Sequence, residues 1–170
     1  LNQGKLEAID HNMIGAPEFE EKIFEALKGK AVRVLISVAD NERDILDQTK
    51  RLHPDVLHLC ANFTGSPEFR EKMRQEIPDV LLMEAVGIVD ESAVEDAKAK
   101  AEYADILILD SVSKTVPGVG AAGETHDWSI DKAIVDAVNI PVILAGGLGP
   151  DNVEDAIRAV HPAGVDSLTK

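Results

Sequence analysis

VILAGGLGP, residues 142–150, is the most informative stretch of this chain. Its four leading apolar residues run without a polar break, which is typical of a strand buried on both faces of a parallel sheet. Gly146 and Gly147 follow, and glycines there allow a sharp turn and a close approach to a ligand. Their N–H groups, with the N-terminus of the next helix, would bind a phosphate. The alternative is that the two glycines only turn the chain from strand to helix.

Composition limits the class of protein. We expect residues 1–170 to form one domain, and no apolar run approaches the roughly 18 residues of a membrane helix. A formal net charge of −14 argues against binding to nucleic acid or to an anionic membrane. With no recognisable signal peptide, the expected location is the cytoplasm. The single cysteine, Cys60, excludes an intrachain disulfide and a cysteine-rich zinc site.

Apolar runs alternate with segments of helical periodicity along the chain. Helix start signals include Ser66-Pro67, with proline at the first helical position, and Asp127. This alternation predicts an α/β protein with a parallel sheet. Residues 1–16 hold no convincing strand and the last run has no helix after it, so we expect part of a larger closed repeat. The six apolar runs lie at 32–38, 56–60, 80–86, 105–110, 142–147 and 164–168.

Polar residues at the carboxyl ends of the strands are the candidates for chemistry. Asp110 ends an apolar strand, so partial desolvation would raise its pKa and suit it to proton transfer; a capping role is the alternative. His58 and Cys60 should share one face of their strand. Cys60 could be a nucleophile or base, although an inert cysteine and a structural histidine are the more common cases. We expect Glu84 to face a pocket rather than a dry core. No residues have metal-ligand spacing, and no metal is predicted.

The long segment after Asp110 contains a glycine pattern. Residues 118–123, GVGAAG, satisfy G-x-G-x-x-G. A dinucleotide fold needs a tight turn directly after the strand, whereas Gly118 comes well after Asp110. The next strand ends in glycines rather than in the acidic residue that would hold a ribose. A loop that folds over a small ligand therefore fits better.

Three stretches together resemble the phosphoribosylanthranilate isomerase family. They are DILILDS at 105–111, GVGAAGETHDWSI at 118–130, and IPVILAGGLGPDNVEDAIRAVHPAGVDS at 140–167. The family typically shows a strand ending in LLD, a GGTG loop followed by DW, an LAGGL strand and a GVD strand, in that order. The resemblance is looser over 54–89 and is not usable before residue 30.

The resemblance implies a fold and an activity. The fold would be a TIM-type (βα)8 barrel, of which this sequence holds about strands three to eight, with early strands and the last helix missing; an open doubly wound sheet is the alternative. The activity would be the Amadori rearrangement of phosphoribosylanthranilate in tryptophan biosynthesis, with no cofactor and with a small phosphosugar as substrate. The family often forms homodimers. The alternative is a phosphosugar-binding barrel that is non-catalytic or has a different specificity.

The same resemblance implies roles for individual residues. Asp110 matches the general acid, which protonates the ring oxygen of the sugar. Gly146 and Gly147 match backbone that contacts the substrate phosphate, together with the loop after Asp166. Asp166 itself matches an aspartate near the anthranilate end. The other substrate-binding candidates are Ser167, Gly123, His58 and Cys60.

This sequence departs from the family pattern at several positions. The family's base is a cysteine in a KICG-like first strand, which this sequence does not contain. Cys60 stands where the family has the histidine of QLHG, and His58 stands where it has the glutamine. The loop has GAAG in place of GGTG, and SLTK follows Asp166 where the family has a serine–glycine phosphate loop. An aldolase or synthase would need a lysine inside the barrel, and none of the visible strands carries one.

Overall fold

The computed structural model describes residues 17–60, 63–112 and 127–167. Over these ranges, helices and strands alternate as the apolar runs predict. None of the described helices has the length and apolarity that crossing a bilayer requires. The elements are α1 Pro17–Leu27, β1 Val34–Ser37, α2 Glu42–Leu52, β2 Val56–Leu59, α3 Pro67–Glu76, β3 Leu81–Ile88, α4 Ser92–Ala101, β4 Ile106–Ser111, α5 Trp128–Ala137, β5 Val142–Leu144, α6 Val153–Val160 and β6 Gly164–Val165.

The six described strands form one parallel sheet in the order β1-β2-β3-β4-β5-β6. An open doubly wound sheet reverses its strand order at a switch point, and these strands show no reversal. The alternative fold is therefore wrong for this part of the chain. A sequential order, with a helix between successive strands, is that of a (βα) barrel wall.

The two faces of the sheet are packed differently. On the helix side, fully buried side chains such as Leu82 and Leu107 pack with Met73 of α3 and Ile134 of α5 in two large apolar clusters. Alternate strand residues point the other way and form a smaller cluster on the inner face. Its buried members are Val56, Met83, Ala85, Ile108 and Ala145.

Side-chain caps set the starts of several helices. Asn41 accepts a hydrogen bond from Asp44 N at 3.0 Å at the start of α2. Ser66 accepts one from Phe69 N at 3.1 Å, and Pro67 occupies the first turn of α3. Asp127 accepts one from Ser129 N at 2.9 Å at the start of α5. Each cap satisfies a backbone donor that the helix leaves unpaired.

Two aspartates form hydrogen bonds and ion pairs at the amino ends of β2 and β4. Asp55, directly before β2, accepts hydrogen bonds from Arg33 N at 2.7 Å and from the Arg33 guanidinium at 2.9 and 3.0 Å. Asp105, directly before β4, accepts one from Leu82 N at 2.7 Å and pairs with Arg70 at 2.7 Å. The Arg33 contacts lower the pKa of Asp55 to about 2. These pairs lie at the amino ends of the strands. In (βα) barrels this end contributes to stability, whereas the catalytic residues lie at the carboxyl ends.

Candidate active site

Asp110 and the glycine pair lie beside each other at the carboxyl edge of the sheet. β4 and β5 pair at Leu109 and Leu144, and Ala145 N donates to Leu109 O at 2.8 Å. A Cβ placed on Gly146 would come 3.1 Å from Asp110 Oδ1. Gly146 has φ +86° and Gly147 has φ +61°, which glycine adopts without strain. The structure thus brings together the candidate acid and the candidate phosphate-binding backbone.

Ser111 belongs to this arrangement, although the sequence analysis did not select it. Its N–H donates to Asp110 Oδ1 at 2.7 Å, which orients the half-buried carboxyl group. Its side chain is buried, and a Cβ on Gly146 would come 2.5 Å from Ser111 Oγ. The available signal was its position directly after Asp110 at the strand end.

The loop that follows Gly147 is held by side chains from two sides. Asn152 accepts a hydrogen bond from Gly149 N at 2.8 Å and donates one to Gly147 O at 3.0 Å. Ser167 Oγ donates to Leu148 O at 2.6 Å, so the end of β6 is tied to the same loop. The backbone of the glycine loop is therefore fixed before any ligand arrives, which lowers the entropic cost of binding.

Cys60 lies at the end of β2 with its thiol on the inner face, beside the cluster of Ala85 and Ile108. Its Sγ donates to Ser37 O at 3.7 Å. Burial raises the pKa of this thiol, and the negative charge of Asp110 raises it further. At neutral pH, Cys60 is therefore a neutral thiol and a poor base.

His58 pairs in register with Met83, which places it on the same inner face as Cys60. Burial lowers the pKa of His58 to about 4, and the charge of Asp166 opposes this shift. Within the described part of the chain, its Nε2 is buried and has no hydrogen-bond partner. His58 is thus an uncharged polar group directed at the barrel interior, with Asp166 as its electrostatic neighbour.

The family model for N-(5'-phosphoribosyl)anthranilate (PRA) isomerase matches residues 7–167 of this sequence. The chain belongs to this family. The PRA isomerase of Haloferax volcanii is 35% identical over 152 residues, which are 88% of this chain and 63% of the relative. That of Methanocella arvoryzae is 31% identical over 133 residues, which are 78% of this chain and 60% of the relative. The chain therefore spans less than two thirds of the length of these relatives.

Solved structures of PRA isomerases have the same fold. The Thermotoga maritima PRA isomerase is 29% identical with a TM-score of 0.69, and the match covers 89% of this chain and 68% of that one. A PRA isomerase in complex with reduced 1-(o-carboxyphenylamino)-1-deoxyribulose 5-phosphate is 26% identical, with a TM-score of 0.67 and coverages of 91% and 69%. The prediction of a TIM-type barrel is confirmed, and the described strands form part of its wall.

The remaining candidates are Asp166, Ser167 and Gly123, and the first two directly follow β6. Asp166 N donates to Leu144 O at 2.9 Å, and the side chains of Asp166 and Ser167 are exposed. Gly123 lies outside the described residues, so its place relative to Asp110 stays a prediction. Within the described ranges, no three His, Cys, Asp or Glu side chains form a group that would hold a metal ion.

The prediction that Glu84 faces a pocket is wrong. Glu84 pairs in register with Leu59 and Leu107, which both belong to the clusters on the helix side of the sheet. Its side chain is only 1% exposed, and Oε1 accepts a hydrogen bond from Gly65 N at 2.6 Å. The carboxyl group therefore finds its polar partner under the helices rather than in the barrel interior.

Proposed function

We propose that this chain carries out the reaction of its family in tryptophan biosynthesis. The reaction converts N-(5'-phosphoribosyl)anthranilate to the carboxyphenylamino-deoxyribulose phosphate by an Amadori rearrangement, and no cofactor is needed. The observation that supports it best is the contact between Asp110 and Gly146 at the carboxyl edge. It places a proton donor beside backbone that is suited to a phosphate.

Asp110 is the proposed general acid. As the C1–O bond breaks, its carboxylic acid donates a proton to the ring oxygen of the phosphoribosyl group, and the carboxylate that remains accepts a hydrogen bond from Ser111 N at 2.7 Å. Removal of the C2 proton by a base then converts the C1=N iminium to a C1=C2 enolamine, which tautomerises to the ketone product. We do not assign this base to Cys60, because the raised pKa of its partly buried thiol keeps it protonated at neutral pH.

The other candidate residues are proposed to bind the substrate. Gly146 and Gly147 bind its phosphate through their backbone, with Ser167 and Gly123 from the neighbouring loops. His58 and Asp166 contact the anthranilate end, where the unpaired His58 Nε2 would gain a hydrogen-bond partner. We further propose that residues 1–170 belong to a single barrel domain of a cytoplasmic homodimer.

A phosphosugar-binding barrel without this activity is the second candidate. The observation in its favour is the inner face of β2, where Cys60 and His58 replace the histidine and glutamine of the family pattern. A protonated Cys60 and an uncharged His58 provide hydrogen bonds and shape, but neither is a ready base at neutral pH. Such a protein would keep the glycine loop and bind a phosphorylated sugar.

The test is turnover of N-(5'-phosphoribosyl)anthranilate by the purified protein, beside Asp110→Asn. Loss of anthranilate-type fluorescence is followed together with coupled product detection, and a sample without enzyme corrects for spontaneous decay. We expect Asp110→Asn to reduce kcat by about 10²- to 10⁴-fold, the usual contribution of a general acid. An inert parent protein whose melting temperature rises with the reduced product analogue would favour the binding barrel. An inert parent protein whose melting temperature does not change with the analogue would contradict both candidate functions.

A further inference from the structure

Glu84 forms a polar junction on the helix side of the sheet, away from the proposed catalytic groups. Its Oε1 accepts the Gly65 N–H at 2.6 Å, and the hydroxyl group of Tyr103 lies 3.4 Å from the same oxygen. Gly65 immediately precedes Ser66, the residue that caps α3. The carboxyl group of Glu84, in β3, therefore contacts the chain that connects β2 with α3.

The junction has no room for another side chain at Gly65. A Cβ there would come 2.3 Å from Glu84 Oε1, and 3.3 Å from both Leu59 Cδ1 and Tyr103 Cε2. Real Cβ atoms do not approach other atoms as closely as the first distance, so any other residue at position 65 would force the Glu84 carboxyl group to move. Glu84, Leu59 and Tyr103 thus define the position of the chain just before α3.

The charged and titratable groups around Glu84 come from α4 and the turn after it. Lys100 Nζ donates to Ala85 O and to Asp96 Oδ2, each at 2.8 Å, so its charge acts on Glu84 from a distance. Burial raises the pKa of Glu84 to about 7, against the lowering effects of the Gly65 N–H, Lys100 and Tyr103. Asp96 adds a smaller upward shift. The bond to Gly65 favours the charged carboxylate.

We propose that Glu84 is a positioning residue that holds the chain before α3 through the Gly65 N–H, and that protonation of its carboxyl group weakens this hold. A carboxylate accepts a shorter and stronger hydrogen bond than a carboxylic acid does. The same connection begins at Cys60 on the inner face of the barrel, where the charge of Asp110 acts on the thiol. An effect of the Glu84–Gly65 hydrogen bond on turnover rests on the proposed function. The hydrogen bond itself and its dependence on pH do not.

The test is the amide proton resonance of Gly65, followed by NMR from about pH 5 to about pH 9, a range that spans the titration of the buried carboxyl. We expect it to move downfield with rising pH, with a midpoint near 7. The amide of Gly149 is the internal control, because it donates at 2.8 Å to the side-chain oxygen of Asn152, which does not titrate. Glu84→Gln should remove the titration of Gly65 and leave Gly149 unchanged.

A second variant keeps the test decisive if Glu84→Gln does not fold. Tyr103→Phe removes a hydroxyl group that lowers the pKa of Glu84, so the midpoint at Gly65 should move to higher pH. A Gly65 resonance that stays constant with pH in the parent protein would overturn the proposal. The same holds for a titration that persists unchanged in Glu84→Gln. Both outcomes are independent of isomerase activity, so failure of the proposed function would not be mistaken for failure of this one.

Discussion

Asp110 and Gly146 meet across β4 and β5, where a methyl group on Gly146 would lie 3.1 Å from Asp110 Oδ1 and 2.5 Å from Ser111 Oγ. Gly146→Ala would therefore force a side chain into this contact at a backbone φ of +86°. We expect the free energy of unfolding to fall by about 2–4 kcal/mol, from the left-handed backbone and the overpacking together. Urea denaturation measures this loss.

Gly29→Ala is the matched control for that substitution. Gly29 also has a positive φ, +70°, but a Cβ there would meet nothing within 4 Å. It should cost only the backbone strain of about 1 kcal/mol. Binding of the reduced product analogue should weaken in Gly146→Ala alone. Equal losses in the two variants would show that the contact with Asp110 and Ser111 has no energetic weight.

Cys60 should react slowly with iodoacetamide at neutral pH. Because burial raises the pKa of its thiol, we expect alkylation at least about tenfold slower than in the chain unfolded by urea. Asp110→Asn removes a negative charge that also raises this pKa, so alkylation should become about two- to fivefold faster. The single cysteine lets mass spectrometry follow this reaction without interference.

An unchanged rate in Asp110→Asn would contradict the electrostatic link between the two strand ends. A reaction as fast in the folded chain as in urea would contradict the burial of the thiol. It would also make Cys60 a candidate base again, because a reactive thiolate at neutral pH is what proton abstraction requires.

The order of elements and the edge that carries the site could be predicted from local signals. Apolar periodicity located the strands, and residues such as Ser66 and Asp127 marked helix starts, because caps and periodicity depend on near neighbours. The meeting of Asp110 with Gly146 followed from topology, since the carboxyl ends of parallel strands share one edge.

Register and side-chain direction could not be predicted. Glu84 lies in an apolar strand without alternation, and a shift of one residue exchanges its two faces. Met83 and Ala85 are apolar as well, so the sequence did not distinguish inside from outside. Asn152 was missed for a related reason: it stands at a helix start, but its side chain turns back to Gly147 and Gly149 instead of capping α6.

Asn152→Ala should release the glycine loop. It removes the hydrogen bonds with Gly149 N and Gly147 O, and we expect the reduced product analogue to bind about 5- to 20-fold more weakly, equivalent to roughly 1–2 kcal/mol. Asn41→Ala is the control. It removes a helix cap beside β1, the edge strand on the opposite side of the described sheet from β6, at a similar cost in stability. Calorimetric titration with the reduced product analogue should show weaker binding to Asn152→Ala than to Asn41→Ala. Equal affinities would mean that Asn152 does not position the loop.

Asp55→Asn should destabilise the protein at neutral pH and much less in acid. The pKa of Asp55 is about 2 in the folded chain against an ordinary 3.8, so its ion pair with Arg33 stabilises the fold above pH 3.8. This contribution is lost as the pH falls through about 2. We expect the melting temperature of Asp55→Asn to be lower by about 2–4 °C at pH 7. A difference from the parent that is as large at pH 3 as at pH 7 would contradict this origin.

Glu84 should make the protein less stable as the pH rises. Its pKa is about 7 in the folded chain against an ordinary 4.5, so the folded state holds a proton that the unfolded state has released. The stability this provides is complete below pH 4.5 and is lost as the pH rises through 7. We expect the difference in unfolding free energy between the parent and Glu84→Gln to change by about 2–3 kcal/mol from pH 5 to pH 8.

That difference, rather than the parent curve alone, is the quantity to measure by urea denaturation. His58 has a lowered pKa of about 4, so it stabilises the fold above pH 6.5 and loses this effect as the pH falls through 4. Its contribution opposes that of Glu84 in the parent but is present in both proteins, so the subtraction removes it. Parallel curves for parent and Glu84→Gln would mean that the buried carboxyl group is already charged throughout this range.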